Sequence, residues 1–78
     1  MTAYRIRYQG PSSFALRAAT LLADSDGIAL TSSEPPERQD GNLVALLLTV
    51  DATAEAVRDA LAAVAAELPG GATMAIDE

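Results

Sequence analysis

Arginine is the only basic side chain in this 78-residue sequence, at Arg5, Arg7, Arg17, Arg38 and Arg58, and it faces eleven Asp and Glu. Histidine, cysteine, lysine and tryptophan are absent. That removes the Ser–His and Cys–His pairings of nucleophilic catalysis and the imidazole and thiolate ligands of ordinary zinc and haem sites. Hydroxyls and carboxylates remain. Ser12, Ser13, Ser25, Ser32 and Ser33 all fall where caps or loops are expected. Asp24 and Asp26 flank Ser25 and precede Gly27, a string that looks like part of a calcium loop. The first ligand of such a loop would fall on Leu22 and its bidentate Glu on Ser33, so the match fails. Glu55 and Asp59 are four residues apart with Arg58 beside them, the pattern of a solvated helix face. No convergent acid–base set emerges, and the expectation is a protein that is not an enzyme and has no catalytic residue, no cofactor and no metal.

Charge is unevenly placed. Residues 1–20 carry three Arg and no acid, +3; residues 21–78 carry two Arg and eleven acids, −9; together they give the net −6. An acidic domain repels a phosphate backbone, so no nucleic-acid partner is expected. The longest apolar run, Leu43–Leu48, is far too short to span a bilayer. Tyr4 to Gly10 alternates polar with apolar rather than forming the apolar stretch of a signal peptide. With no cysteine, these features suggest a cytoplasmic protein with no membrane partner.

The elements that must position these residues follow from periodicity. Ala3–Gln9 alternates, with Tyr4, Ile6 and Tyr8 against Arg5, Arg7 and Gln9, a half-buried strand. Gly10-Pro11-Ser12-Ser13 breaks it, and Ser12 or Ser13 can cap a helix running to about Asp24. Phe14, Ala18, Leu21 and Leu22 form its apolar face, and Gly27 suits the positive φ of a helix end. Ile28–Ser32 alternates again. Residues 33–42 read as a polar loop, with Pro35-Pro36 and an Asp40-Gly41 turn. Leu43–Val50 is apolar on both faces and reads as a central strand covered on both sides. Asp51 or Thr53 caps a second helix with a Val57, Leu61, Val64 and Leu68 stripe, which Pro69-Gly70-Gly71 ends. Ala72–Ile76 is the last strand.

The order β-α-β-β-α-β, with right-handed crossovers, predicts an α+β fold: one ferredoxin-like domain over residues 1–78, with a four-stranded antiparallel sheet in order 4-1-3-2 and two helices on one face. Alternation sends Tyr4, Ile6, Tyr8, Ile28, Leu30, Val44, Leu46, Leu48, Val50, Met74 and Ile76 towards the helices. Arg5, Arg7, Ala29, Thr31, Leu43, Ala45, Leu47, Thr49, Thr73 and Ala75 fall on the open face. Two Arg, several small residues and two Leu make an unusual solvated surface.

The stretch Tyr8-Gln9-Gly10-Pro11-Ser12-Ser13-Phe14-Ala15-Leu16, then Leu21-Leu22-Ala23 and Gly27-Ile28-Ala29-Leu30, resembles the first half of an ACT domain. Leu43 to Ile76 has the matching element order. The family's Pro-Gly is Pro11-Ser12 here. The resemblance implies a regulatory module that pairs and binds an amino acid or small anion near the first strand-to-helix loop, at Gly10, Pro11, Ser12 and Ser13.

Two functions are thus expected from different classes. The first is a small non-enzymatic protein-interaction module, a self-associating subunit or adaptor that pairs as a homo-dimer or takes a protein partner. Its contact surface is the open sheet face, through Arg5, Arg7, Leu43, Ala45 and Leu47, or a sheet edge such as Ala72–Ile76. The alternative is the ACT-like sensor of a small anionic ligand.

Overall fold

The computed structural model describes residues 2–77 as an α+β domain: two helices and an antiparallel sheet of five strands. In chain order the elements are β1 (Thr2–Pro11), α1 (Ser12–Ala23), β2 (Ala29–Ser33), β3 (Glu37–Asp40), β4 (Leu43–Ala52), α2 (Ala54–Ala65) and β5 (Thr73–Ile76). The sheet runs β2-β4-β1-β5, and β3 pairs with β4 beside β2. The expected sheet of four strands in order 4-1-3-2 is therefore not matched exactly, because the segment read as a loop contributes a strand.

The reason lies in the length of β4. Its ten residues pair along one side with all of β1, from Thr2 opposite Ala52 to Pro11 opposite Leu43. On the other side β2 reaches only Leu48–Asp51. The Asp40-Gly41 turn, with Gly41 at φ 56°, folds β3 back to pair Glu37 with Ala45, Arg38 with Val44 and Asp40 with Leu43. An edge strand exposed on both faces needs no apolar residues, so Glu-Arg-Gln-Asp carries no hydrophobic signal.

Period two decides the core. Ile6, Tyr8, Leu48 and Val50 are fully buried against Ala15, Ala18 and Leu22 of α1 and Val57, Ala60 and Val64 of α2. Both helices thus lie on the side of the even-numbered strand residues. Each large apolar side chain buried here contributes about 1.5–3 kcal/mol. Leu30 and Ile76 face the same side but remain 38% and 41% exposed, since they occupy the outer strands. The other face is not covered by a helix: Leu43 is 44% exposed and Leu47 half-buried, so β4 is central but not covered on both sides as its sequence suggests.

The helix starts differ from each other. Thr53 caps α2, its hydroxyl accepting the Ala56 amide at 3.1 Å; Asp51, the other expected cap, stays in β4. In α1 neither serine caps. Pro11 holds the cap position without a side-chain bond, and Ser12 and Ser13 are already helical. The Ser12 amide donates to the Asn42 carbonyl at 2.7 Å, so the ladder satisfies the first helical donor, and with Pro11 at the cap position no hydroxyl is placed to accept the next two. Leu68 lies beyond the end of α2 yet packs against the core.

Gly10 is where β1 can bear no side chain. A Cβ there would sit 2.7 Å from the Ala72 Cβ and 2.9 Å from its Cα. Gly10→Ala is expected to lower unfolding stability by about 1–3 kcal/mol, as overpacking does, measured by urea titration. Thr53→Ala should cost about 1 kcal/mol, whereas Ser12→Ala and Ser13→Ala should each stay within about 0.5 kcal/mol of the parent. A serine variant as damaging as Thr53→Ala would contradict the cap assignment.

Candidate functional site

Three surfaces hold the sequence's candidate residues: the open sheet face, the β1–α1 junction and the groove between the α1–β2 turn and α2.

On the open face, cross-strand partners share a side. Arg5 lies between Thr49 of β4 and Asp77, whose amide donates to the Arg5 carbonyl at 2.7 Å. Arg7 lies between Leu47 and Ala75, and Gln9 between Ala45 and Thr73. Asp51 sits opposite both Ala3 and Ala29. The face therefore mixes Arg5 and Arg7 with Glu37, Asp40, Asp51 and Asp77, both signs with the acids in excess. Arg7, Glu34, Pro35, Glu37, Ala45 and Leu47 line a hollow of about 170 Å³ where the Pro35-Pro36 segment meets β4. Of the expected surface residues, Arg7, Ala45 and Leu47 meet at this hollow, while Arg5 and Leu43 lie apart on the same face, opposite Thr49 and Pro11. Ala45 is only 7% exposed and offers a partner almost nothing.

At the β1–α1 junction, the four residues Gly10, Pro11, Ser12 and Ser13 are adjacent but partly engaged. Gly10 is buried against Ala72. The Pro11 carbonyl accepts the Tyr8 hydroxyl at 2.9 Å, and the Ser12 amide is spent on Asn42. Ser12 and Ser13 side chains are exposed. Tyr8, which the sequence marked only as core, is the residue that ties this junction together; its ring centroid also lies 6.5 Å from that of Phe14, the two planes tilted by 33°. Burial pushes its phenol pKa above the ordinary 10.0.

Between the turn after α1 and the outer side of α2, Ser25, Asp26, Gly27, Thr53, Glu55 and Asp59 line an open groove of about 560 Å³. It brings together carboxylates that are far apart in sequence. The signal for this was Gly27: at φ 78° its Cβ would lie 3.1 Å from that of Ala56, so the turn after α1 must abut the start of α2. Among the described residues no group of three or more carboxylates is placed to hold a metal ion. No polar or charged side chain among them is buried. None of their helices is long and apolar enough to cross a membrane.

A scan against protein-family models finds no match for this chain. A search of curated proteins likewise finds none.

The raised Tyr8 pKa has a definite sign. Below pH 10 the phenol is neutral in both folded and unfolded chains and its contribution is fully present. Above that the unfolded chain ionises first, so stability falls as pH climbs towards the folded pKa. Tyr8→Phe is expected to flatten this alkaline loss in denaturation curves, and to cost about 0.5–1.5 kcal/mol near neutrality through the lost bond to Pro11. An equally steep alkaline loss in the variant would refute the assignment.

Proposed function

We propose that this domain is a self-associating interaction subunit rather than a catalyst. The observation that carries the reading is that the sheet is clothed on one side only. Leu43 and Leu47 lie on the bare side, Leu47 opposite Arg7, and that face mixes both signs of charge on a molecule of net −6. Arginines of one copy can there meet carboxylates of another, which offsets part of the repulsion between two acidic molecules. The small core of so short a chain adds a reason to associate, because more apolar area is buried in the assembly.

We read the architecture as a ferredoxin-like sandwich whose fourth edge is split. Support for this comes from the path β2-β4-β1-β5 and from helices that follow β1 and β4, with β3 as a short extension of the β2 edge. The ACT-like reading has no comparable support, because the junction it requires has spent the Ser12 amide and packed Gly10.

Light scattering over micromolar to millimolar protein tests the reading. The mass should climb from 8.0 kDa towards twice that value. A mass that stays at 8.0 kDa throughout would refute it.

A further inference from the structure

The two edges of the sheet are built differently. Along the β2–β3 edge the register against β4 shifts twice, between Leu30 and Ser32 and between Arg38 and Asp40. Glu34-Pro35-Pro36 interrupts it, and β3 consists of Glu-Arg-Gln-Asp. Bulges, prolines and charges are the devices that stop an edge strand from pairing with another chain. β5 has none of them. Thr73-Met74-Ala75-Ile76 is uncharged, contains no proline and pairs with β1 without a shift.

The backbone of β5 also shows which groups are on offer. Asp77 donates its amide to Arg5, and antiparallel ladders alternate, so Ala75 and Thr73 likewise turn towards β1. Met74 and Ile76 then point both N–H and C=O away from the sheet. Their side chains lie on the helix side, Met74 half-buried and Ile76 41% exposed.

We propose that β5 pairs antiparallel with β5 of a second copy, about a two-fold axis through Ala75 and perpendicular to the sheet. This rests on the self-association reading but sets the contact at the sheet edge and leaves the open face uncovered. Directly opposed residues must share a face, which leaves registers centred on a single residue. Centring on Met74 would call on the Ala72 amide, already donated to the Pro69 carbonyl at 3.1 Å. Centring on Ala75 places Met74 opposite Ile76, each pair exchanging both main-chain bonds through the outward groups. Ile76 is then covered by a methionine at the core margin. Thr73 meets Asp77, so no like charges oppose. Both open faces end on the same side of one continuous sheet.

The test uses the whole chain and four variants. In Ile76→Pro the lost N–H is an outward one, so no bond to β1 is removed; Ile76→Lys adds a charge at the edge; Leu47→Asp marks the open face; Leu30→Lys marks the opposite edge. Light scattering is expected to show a dimer for the parent, Leu47→Asp and Leu30→Lys, and a monomer of unchanged circular dichroism for both Ile76 variants. Amide exchange followed by NMR should show Met74 and Ile76 protected at high concentration and exposed on dilution, with Ala75 protected throughout. Should an Ile76 variant unfold, this exchange pattern on the parent chain decides the matter. A dimer that survives both Ile76 substitutions, or fast exchange at Met74 and Ile76 within the dimer, would overturn edge pairing and leave self-association standing. A parent that is monomeric at every concentration would overturn both.

Discussion

The ladder between β1 and β4 is the constraint on which the rest of the molecule depends. Ten residues of each strand pair in unbroken register, from Thr2 with Ala52 to Pro11 with Leu43. A slip of β1 by one residue against β4 would turn Ile6 and Tyr8 out of the core and Arg5 and Arg7 into it, while Leu48 and Val50 stayed inside. The cost of burying two guanidinium groups without partners makes that slip prohibitive. The register thus places every other element: α1 and α2 can lie only over the even-numbered residues, and β2, β3 and β5 can add only along the flanks.

The same ladder explains why β1 passes into α1 with no intervening loop. Pairing continues to Pro11, and the next amide, that of Ser12, still reaches the Asn42 carbonyl. Pro11 has no amide to leave unsatisfied and a φ of −58° that suits the start of a helix. Tyr8 reaches over the missing side chain of Gly10 to bond the Pro11 carbonyl. The stretch with the strongest outward likeness to a ligand loop is therefore built from groups that mainly satisfy each other.

The flanks differ in what they expose. One is interrupted by bulges and prolines and ends in a charged strand. The other presents a short, uncharged strand with two residues whose main-chain groups face outward. In a domain of this size the core is small, and the free flank is the natural place for further burial.

Much of this was legible in residue order. The alternation of Tyr4, Ile6 and Tyr8 with Arg5 and Arg7 gave the two faces of β1, because side chains of a strand alternate by steric necessity. The Val57, Leu61 and Val64 spacing gave α2 and its inner side, and Gly27 marked the turn with positive φ. Local pattern also excluded thiol and imidazole chemistry outright. Tertiary structure alone decided the rest. β3 has no apolar residue and exists only because β4 leaves half its flank unpaired. Ser12 and Ser13 are ordinary caps by type, but pairing of β1 runs on to Pro11 and puts the cap position there, with both serines inside the helix. Ala45 reads as open-face surface, but β3 and its neighbours close over it. Asp26, Glu55 and Asp59 become neighbours only when the α1–β2 turn abuts α2. Periodicity reports which way a side chain points; whether another segment arrives to meet it depends on long-range pairing, which no local pattern encodes.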